Sequence, residues 1–323
     1  MTEDTEFLKE YGLEMLLEIA SFLYSRGDYN PDKTGFGFYC VMGPDEFQMM
    51  VNHNTYTNYM AKRTFEFTLE AVRLLPESLV SETMEKVGVT KAFLEEIRLA
   101  AEKMILLYDA SSGLFEQHEG FFKLPHIDVD RIPVSDFPLY DHWSYDRIYR
   151  NDMIKQPDVL MFLFLYNSSF DAREKAANYH YYEPCCIHES SLSPSIHSIL
   201  ASEIGEKEDA LRFFGFATRL DLDDYNRNTS EGLHTTSISA AWMNIVYGFG
   251  GVRTDGKELK INPTIPSVWE GYSFSLRYRN STLKVSVDRK GYEVRLVGGQ
   301  PQRVCLGDRP VRIADVCRVD FHE

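Results

Sequence analysis

The chain has 323 residues, 44% hydrophobic and 26% charged, long enough to bury a sizeable core and composed like a soluble globular protein. A formal net charge of −15 with no Lys/Arg cluster argues against nucleic acid or an anionic membrane as a partner. No apolar run approaches the ~20 residues a membrane helix needs, and the acidic start Met1-Thr2-Glu3-Asp4 lacks the apolar region of a secretory leader. Five cysteines, of which Cys185 and Cys186 are adjacent and none has C-x-x-C metal spacing, predict a reduced, cytoplasmic protein.

Apolar residues at helical spacing predict an amphipathic helix over 6–26, through Phe7, Tyr11, Leu13, Leu16, Leu17, Ala20 and Leu23. A Gly/Pro/Asp-rich loop over 27–40 leads to the stretch Val41-Met42-Gly43-Pro44-Asp45-Glu46-Phe47-Gln48. Helices are expected at 54–74, 78–86 and 90–107, the last with Thr90 as its cap. Residues 109–153 are aromatic and without period, which inside a domain points to a functional loop. Further helices are expected at 157–168, 171–179, 194–203, 207–221 and 235–247, with Gly248-Phe249-Gly250-Gly251 as the stop. From about 258 the period becomes two, as in Tyr272, Phe274, Leu276 and Tyr278, so short strands follow. The division expected is a helical domain over 1–252 and a small antiparallel β domain over 253–323.

Gly43-Pro44 is a turn signal, and two carboxylates follow at once on a loop that feeds a helix, where catalytic groups are often placed. An acid beside an aromatic such as Phe47 can be kept protonated. The alternative is that Asp45 and Glu46 only favour a helix start. Likewise Thr235 and Thr236 read either as a helix cap or as part of an anion site, since His234, several hydroxyls and a helix start converge there. Aromatic content of 13% suits the faces of sugar rings as well as a core.

The run Gly43-Pro44-Asp45-Glu46-Phe47 with Asn52-His53-Asn54-Thr55-Tyr56-Thr57-Asn58-Tyr59 resembles the acid-bearing segment of glycoside hydrolase family 65, largely inverting disaccharide phosphorylases. Lys155-Gln156, Tyr182-Glu183-Pro184, His188-Glu189-Ser190-Ser191-Leu192-Ser193 and Gly232-Leu233-His234-Thr235-Thr236-Ser237 resemble other segments of that family, in the same order. The resemblance implies a mainly α fold, part of an (α/α)6 barrel followed by the small β domain. It implies Glu46 as general acid and Lys155, Gln156 and Glu183 as sugar contacts. Ser190, Ser191, His234, Thr235 and Ser237 would hold phosphate, which serves as co-substrate with no cofactor or metal. The reaction implied is phosphorolysis of an α-glucoside disaccharide to β-glucose 1-phosphate and a released sugar. Residues 45–50 resemble the kojibiose and nigerose side of the family more than the maltose side.

Family members are more than twice this length, and the barrel's first helices precede the acid motif. The resemblance therefore implies an incomplete barrel, with Glu46, Lys155, Glu183 and His234 on its concave face. The outer faces of 6–26 and 235–247 would be exposed and covered by a second copy or the absent N-terminal half. Two other readings stay open. A family hydrolase needs a second carboxylate, for which Glu189 and Glu231 are the candidates. A non-catalytic half protein would need its N-terminal half.

Overall fold

The computed structural model describes residues 4–225, 227 and 229–321, with the side chain of Glu231 outside the described set. Its contacts gather into two compact units. The first is Asp4–Pro125 with Tyr149–Asp152, the second His126–Ile148 with the chain from Met153 onward.

The first unit is built on α1, a continuous helix through Thr5–Phe7, Leu8–Gly12 and Leu13–Arg26. Its buried face carries Leu13, Leu16, Leu17 and Ala20. Three helices follow: α2 (Thr55–Leu74), α3 (Glu77–Val87) and α4 (Lys91–Glu102). Asn54 caps α2 by accepting from the N–H of Thr57 at 2.9 Å, and Thr90 caps α4 by accepting from Phe93 N at 3.3 Å. One apolar cluster joins α1, α2 and α4 through Ala20, Phe36, Phe38, Phe65 and Ile97. A second joins α1, α2 and α3 through Leu13, Leu17, Ala71, Val80 and Met84. The helix expected to 107 stops at Glu102 because the chain beyond it pairs with Phe36. Phe36 N donates to Lys103 O and Ile105 N to Phe36 O, both at 2.8 Å. That pairing takes backbone groups the helix would have used.

On the outer face of α1, Phe7, Tyr11, Met15, Ile19 and Phe22 are exposed at three- and four-residue spacing. In the second unit Ile238 and Trp242 are likewise exposed, one turn apart.

The second unit is built around α7. Its longer helices, among the described residues, are α5 (Asp158–Leu165), α6 (Ala172–Tyr182), α7 (Ser193–Ile204), α8 (Lys207–Arg219) and α9, which runs through Thr235–Met243 and Asn244–Phe249. Every residue from Ser193 to Ser202 is buried, and α5, α6, α8 and α9 all pack on α7. Asp171 and Glu174 form a reciprocal capping box at the start of α6.

Among the described residues eight strands follow, in two four-stranded sheets: β1 (Val252–Arg253), β2 (Leu259–Ile261), β3 (Gly271–Tyr278), β4 (Ser281–Asp288), β5 (Gly291–Gly298), β6 (Gln302–Leu306), β7 (Arg309–Ile313) and β8 (Val316–Asp320). One sheet has the order β7-β6-β2-β1 and the other β8-β5-β4-β3, and the ladders are antiparallel except β6 with β2. Side chains of both sheets share one core, as in a sandwich: Val252, Ile261 and Val304 meet Leu283, Val285 and Val294. The expected alternation is visible in β3, where Phe274, Leu276 and Tyr278 are buried and Ser273, Ser275 and Arg277 exposed. Gly251 makes the exit from α9. Its φ is +58°, and a Cβ there would lie 2.1 Å from Asn262 O. Trp269 then stacks edge-on against Phe214 of α8 and Phe249 of α9.

A charge network also ties sandwich to helices. Glu203 at the end of α7 accepts from Lys175 of α6 at 2.8 Å and from Arg253 of β1 at 2.7 Å. Burial alone would push the Glu203 carboxyl up, but Arg253 and Lys175 hold it below its usual 4.5. A depressed native pKa stabilises above the unfolded pKa, and that stability is lost as pH falls through the native one. Glu203→Gln is expected to cost about 3 kcal/mol at neutral pH by leaving two buried cations short of a partner. It should also flatten the acid limb of stability, both read by denaturant titration against pH. The apolar stripe of α1 predicts concentration-dependent association, which Met15→Glu with Phe22→Glu should abolish in sedimentation velocity without changing helix content.

Candidate active site

The acid stretch is a short loop pinched at its base. Val41 and Val51 exchange both backbone hydrogen bonds at 2.9 Å. Inside it, burial alternates. Asp45 is 0% exposed, Phe47 3% and Gln48 2%, whereas Glu46 and Met49 are exposed. The Asp45 carboxylate accepts from Phe47 N at 3.1 Å and from Gln117 Nε2 at 2.8 Å. Gln48 donates to Asn151 O at 3.0 Å and accepts from His118 Nε2 at 2.9 Å. Asp45 and Gln48 are therefore the anchors, and Glu46 is the carboxylate left facing outward. Phe47 goes into the core, so the two neighbours differ in burial. The polar run that follows is structural. Asn52 accepts from Cys40 N at 3.3 Å, Asn54 caps α2, and Asn58 donates to Ile105 O at 2.7 Å.

The other predicted segments lie in the second unit. Ile154 N donates to Cys185 O at 2.9 Å and Ile187 N to Ile154 O at 3.0 Å, so Lys155-Gln156 runs beside the segment after Glu183. Lys155 is half-buried with Nζ 5.3 Å from the Tyr140 ring centre, and Gln156 is buried. Glu183 accepts from Arg212 at 3.0 Å, and burial raises its carboxyl although Arg212 opposes. Ser190 is buried and Ser191 half-buried, both just before α7. Ser190 Oγ accepts from Leu192 N at 3.2 Å. His234 stands at the N-cap of α9 and is gripped twice by Asp221, through its backbone N–H at 2.9 Å and Nδ1 at 2.5 Å. That hydrogen bond from His234 holds the Asp221 carboxyl below its usual value. Thr235 and Thr236 are exposed, but Ser237 is buried and donates its hydroxyl to Ala217 O at 2.6 Å, fastening α9 to α8.

A cavity of about 750 Å³, of the size small-molecule sites have, opens in the second unit. Glu183, His188, Glu189, Arg212, Phe213 and Tyr225 are in its wall. Lys155, Gln156, Ser190, Ser191, His234, Thr235 and Ser237 are not among the described residues that line it. Glu189 is 8% exposed, and its Oε1 accepts from Leu139 N at 2.6 Å. Burial pushes its carboxyl up to about 7, against the Leu139 N–H and Lys155. Glu231, the other candidate for a second carboxylate, has its side chain outside the described residues. Sequence reading misses Gln117, His118, Asn151, Arg212 and Asp221. Each acts on a residue far along the chain or through a geometry with no local pattern, and Asp221 at 13 residues from His234 has no helical spacing to mark it.

Because the native Glu189 carboxyl keeps its proton to about 7 and the unfolded one loses it near 4.5, the native state binds more protons in between. Stability should therefore fall as pH rises through that window. Glu189→Gln should remove that slope, worth on the order of 3 kcal/mol at most, in denaturation curves at about pH 5 and about pH 8.

Residues 1–243 match the glycosyl hydrolase family 65 central catalytic domain, and residues 252–313 match the family's C-terminal domain. Maltose phosphorylase of Bacillus subtilis (strain 168) is 38% identical over 98% of this chain and 41% of its own length. Alpha,alpha-trehalose phosphorylase of Thermoanaerobacter brockii is 38% identical over 96% of this chain and 41% of its own length. A solved structure described as "Putative kojibiose phosphorylase from human microbiome" superposes with a TM-score of 0.92 at 50% identity, covering 98% of this chain and 42% of that one. The chain thus spans about two-fifths of the length of the relatives it matches. At that identity and superposition the fold is shared: part of an (α/α)6 barrel, then a β-sandwich. From its first helix to its last sheet, the chain belongs to glycosyl hydrolase family 65.

Proposed function

We propose that the chain carries the general acid of an inverting phosphorylase, which splits an α-linked glucose disaccharide with inorganic phosphate into β-glucose 1-phosphate and a released sugar. The observation that carries the reading is the Glu46 loop, where buried anchors on both sides turn one carboxyl outward. Similarity to phosphorylases named for maltose, trehalose and kojibiose supports the substrate class. Glu46 donates its proton to the glycosidic oxygen as the C1–O bond breaks. A phosphate oxygen forms the new bond at the opposite face of C1, which inverts the anomer. Phosphate is already a nucleophilic anion, so the second carboxylate that an inverting hydrolase uses to activate water is not needed.

In this reading Ser190, Ser191, His234, Thr235 and Ser237 form the phosphate site, with N–H groups at the starts of α7 and α9. Asp221 holds His234 by Nδ1, so Nε2 is the nitrogen left for the anion. The Ser237 hydroxyl contributes by fixing the start of α9. Lys155, Gln156 and Glu183 position the sugars. The reaction draws on phosphate alone, without a cofactor. The working division is a catalytic part over 1–252 and a β part over 253–323. The exposed face of α1 is covered by a second copy or by an N-terminal half of the family. A cytoplasmic setting is supported by the thiols, since no described cysteine is in a disulfide. No described helix is long and apolar enough to cross a membrane.

The test is release of glucose 1-phosphate from kojibiose, nigerose, maltose and trehalose, with and without phosphate and with and without an N-terminal half supplied. In the active form, Glu46→Gln should lower the rate by about 10²–10⁴ with the fold intact. His234→Ala should raise the KM for phosphate more than that for the disaccharide. Glucose release independent of phosphate would instead mark a hydrolase, with Glu189 as base. Sugar binding without cleavage in every combination would mark a non-catalytic module.

A further inference from the structure

Cys186, His188 and His197 meet inside the second unit and have no role in the reaction above. They are 3%, 9% and 0% exposed, and one donor atom of each lies within 4.8 Å of the other two. Cys186 Sγ and His188 Nδ1 are 3.7 Å apart. Two ligands on one tetrahedral zinc ion stand roughly 3.5 Å apart, from zinc–sulfur and zinc–nitrogen bond lengths.

His197 decides the reading. Its Nδ1 is 2.8 Å from Ser193 O, a carbonyl that only accepts, so Nδ1 carries the proton and Nε2 keeps a lone pair. Nε2 is buried without a hydrogen-bond partner. Metal-bound imidazoles have this arrangement, with the far nitrogen given to a backbone carbonyl. Arg212 is the cation nearest in effect to the rings of His188 and His197, but Glu183 at 3.0 Å and Asp209 at 2.8 Å neutralise it. Cys186 and His188 also line the cavity of about 750 Å³, which supplies an entry path.

We propose that Cys186, His188 and His197 bind one thiophilic divalent cation of the zinc class, with the fourth position open to the cavity. Binding releases the thiol proton to solvent and needs no other reactant. The site departs from the expectation of no metal, because a C-x-H followed by a histidine nine residues on matches no spacing pattern. It does not rest on the phosphorolysis reading, since binding is measured without sugar or phosphate.

The experiment is titration of the reduced full chain with cobalt(II) as the probe. One equivalent should produce a thiolate-to-cobalt charge-transfer band and the visible bands of a tetrahedral ion, both removed by one equivalent of zinc. Cys186→Ser should lose the charge-transfer band, and His197→Gln should weaken cobalt binding at least tenfold. Cys185→Ser should keep the spectrum, because that sulfur points to Tyr181 O at 3.5 Å. Absence of the band in the unaltered chain overturns the proposal, as does its survival in Cys186→Ser. If Cys186→Ser does not fold, the unaltered chain and His197→Gln decide, and unchanged binding in His197→Gln overturns the site.

Discussion

The second unit depends on the burial of α7. A helix buried on every side can present no polar group to water, so each one on it must be satisfied inside or left at a cost. Ser198 donates to Ala210 O at 2.8 Å, and Ser202 pairs with Thr264 at 3.1 Å. Glu203 gathers Lys175 and Arg253 where the helix emerges. These contacts leave α7 little freedom to turn or slide, and they hold Ser190 and Ser191, which immediately precede it. The helix thereby sets the positions of Ser190 and Ser191 at one end and a clasp on the β-sandwich at the other.

The same economy of anchoring recurs wherever a polar group is offered outward. Glu46 faces out because Asp45 and Gln48 are pulled in by Gln117, His118 and Asn151. His234 is oriented because Asp221 takes both its backbone and ring N–H. In each case the direction of the outward group is fixed by its neighbours in sequence or space. Substitution of an anchor should therefore disturb function through geometry, which is how positioning residues act.

Environment separates carboxyls of the same kind. Glu189 and Glu203 are both largely buried, yet one is pushed up and the other held down. The difference is company: Glu203 has two cations within 2.8 Å, whereas Glu189 has a backbone N–H and the field of Lys155. Desolvation wins at Glu189 and Coulomb attraction at Glu203, for a reason visible in the distances.

Much of this was legible in the chain itself. Among the described residues, period-3.6 patterning located α1 to α9 with one end, that of α4, too long, Thr90 and the glycine run at 248–251 marked ends, and alternation located the strands from Tyr272 to Leu296. Those signals are local, because a helix face or strand face is written at fixed spacing. The family segments were legible for the same reason, being short runs in a fixed order. Tertiary structure alone decided which of Asp45 and Glu46 faces outward, since adjacent acids look alike until a distant Gln117 reaches one of them. It alone turned the Ser237 hydroxyl onto Ala217, stopped α4 at Glu102 by pairing residue 103 onward with Phe36, and drew Cys186, His188 and His197 together. Such outcomes depend on burial and on partners remote in sequence, and neither carries a periodic signature.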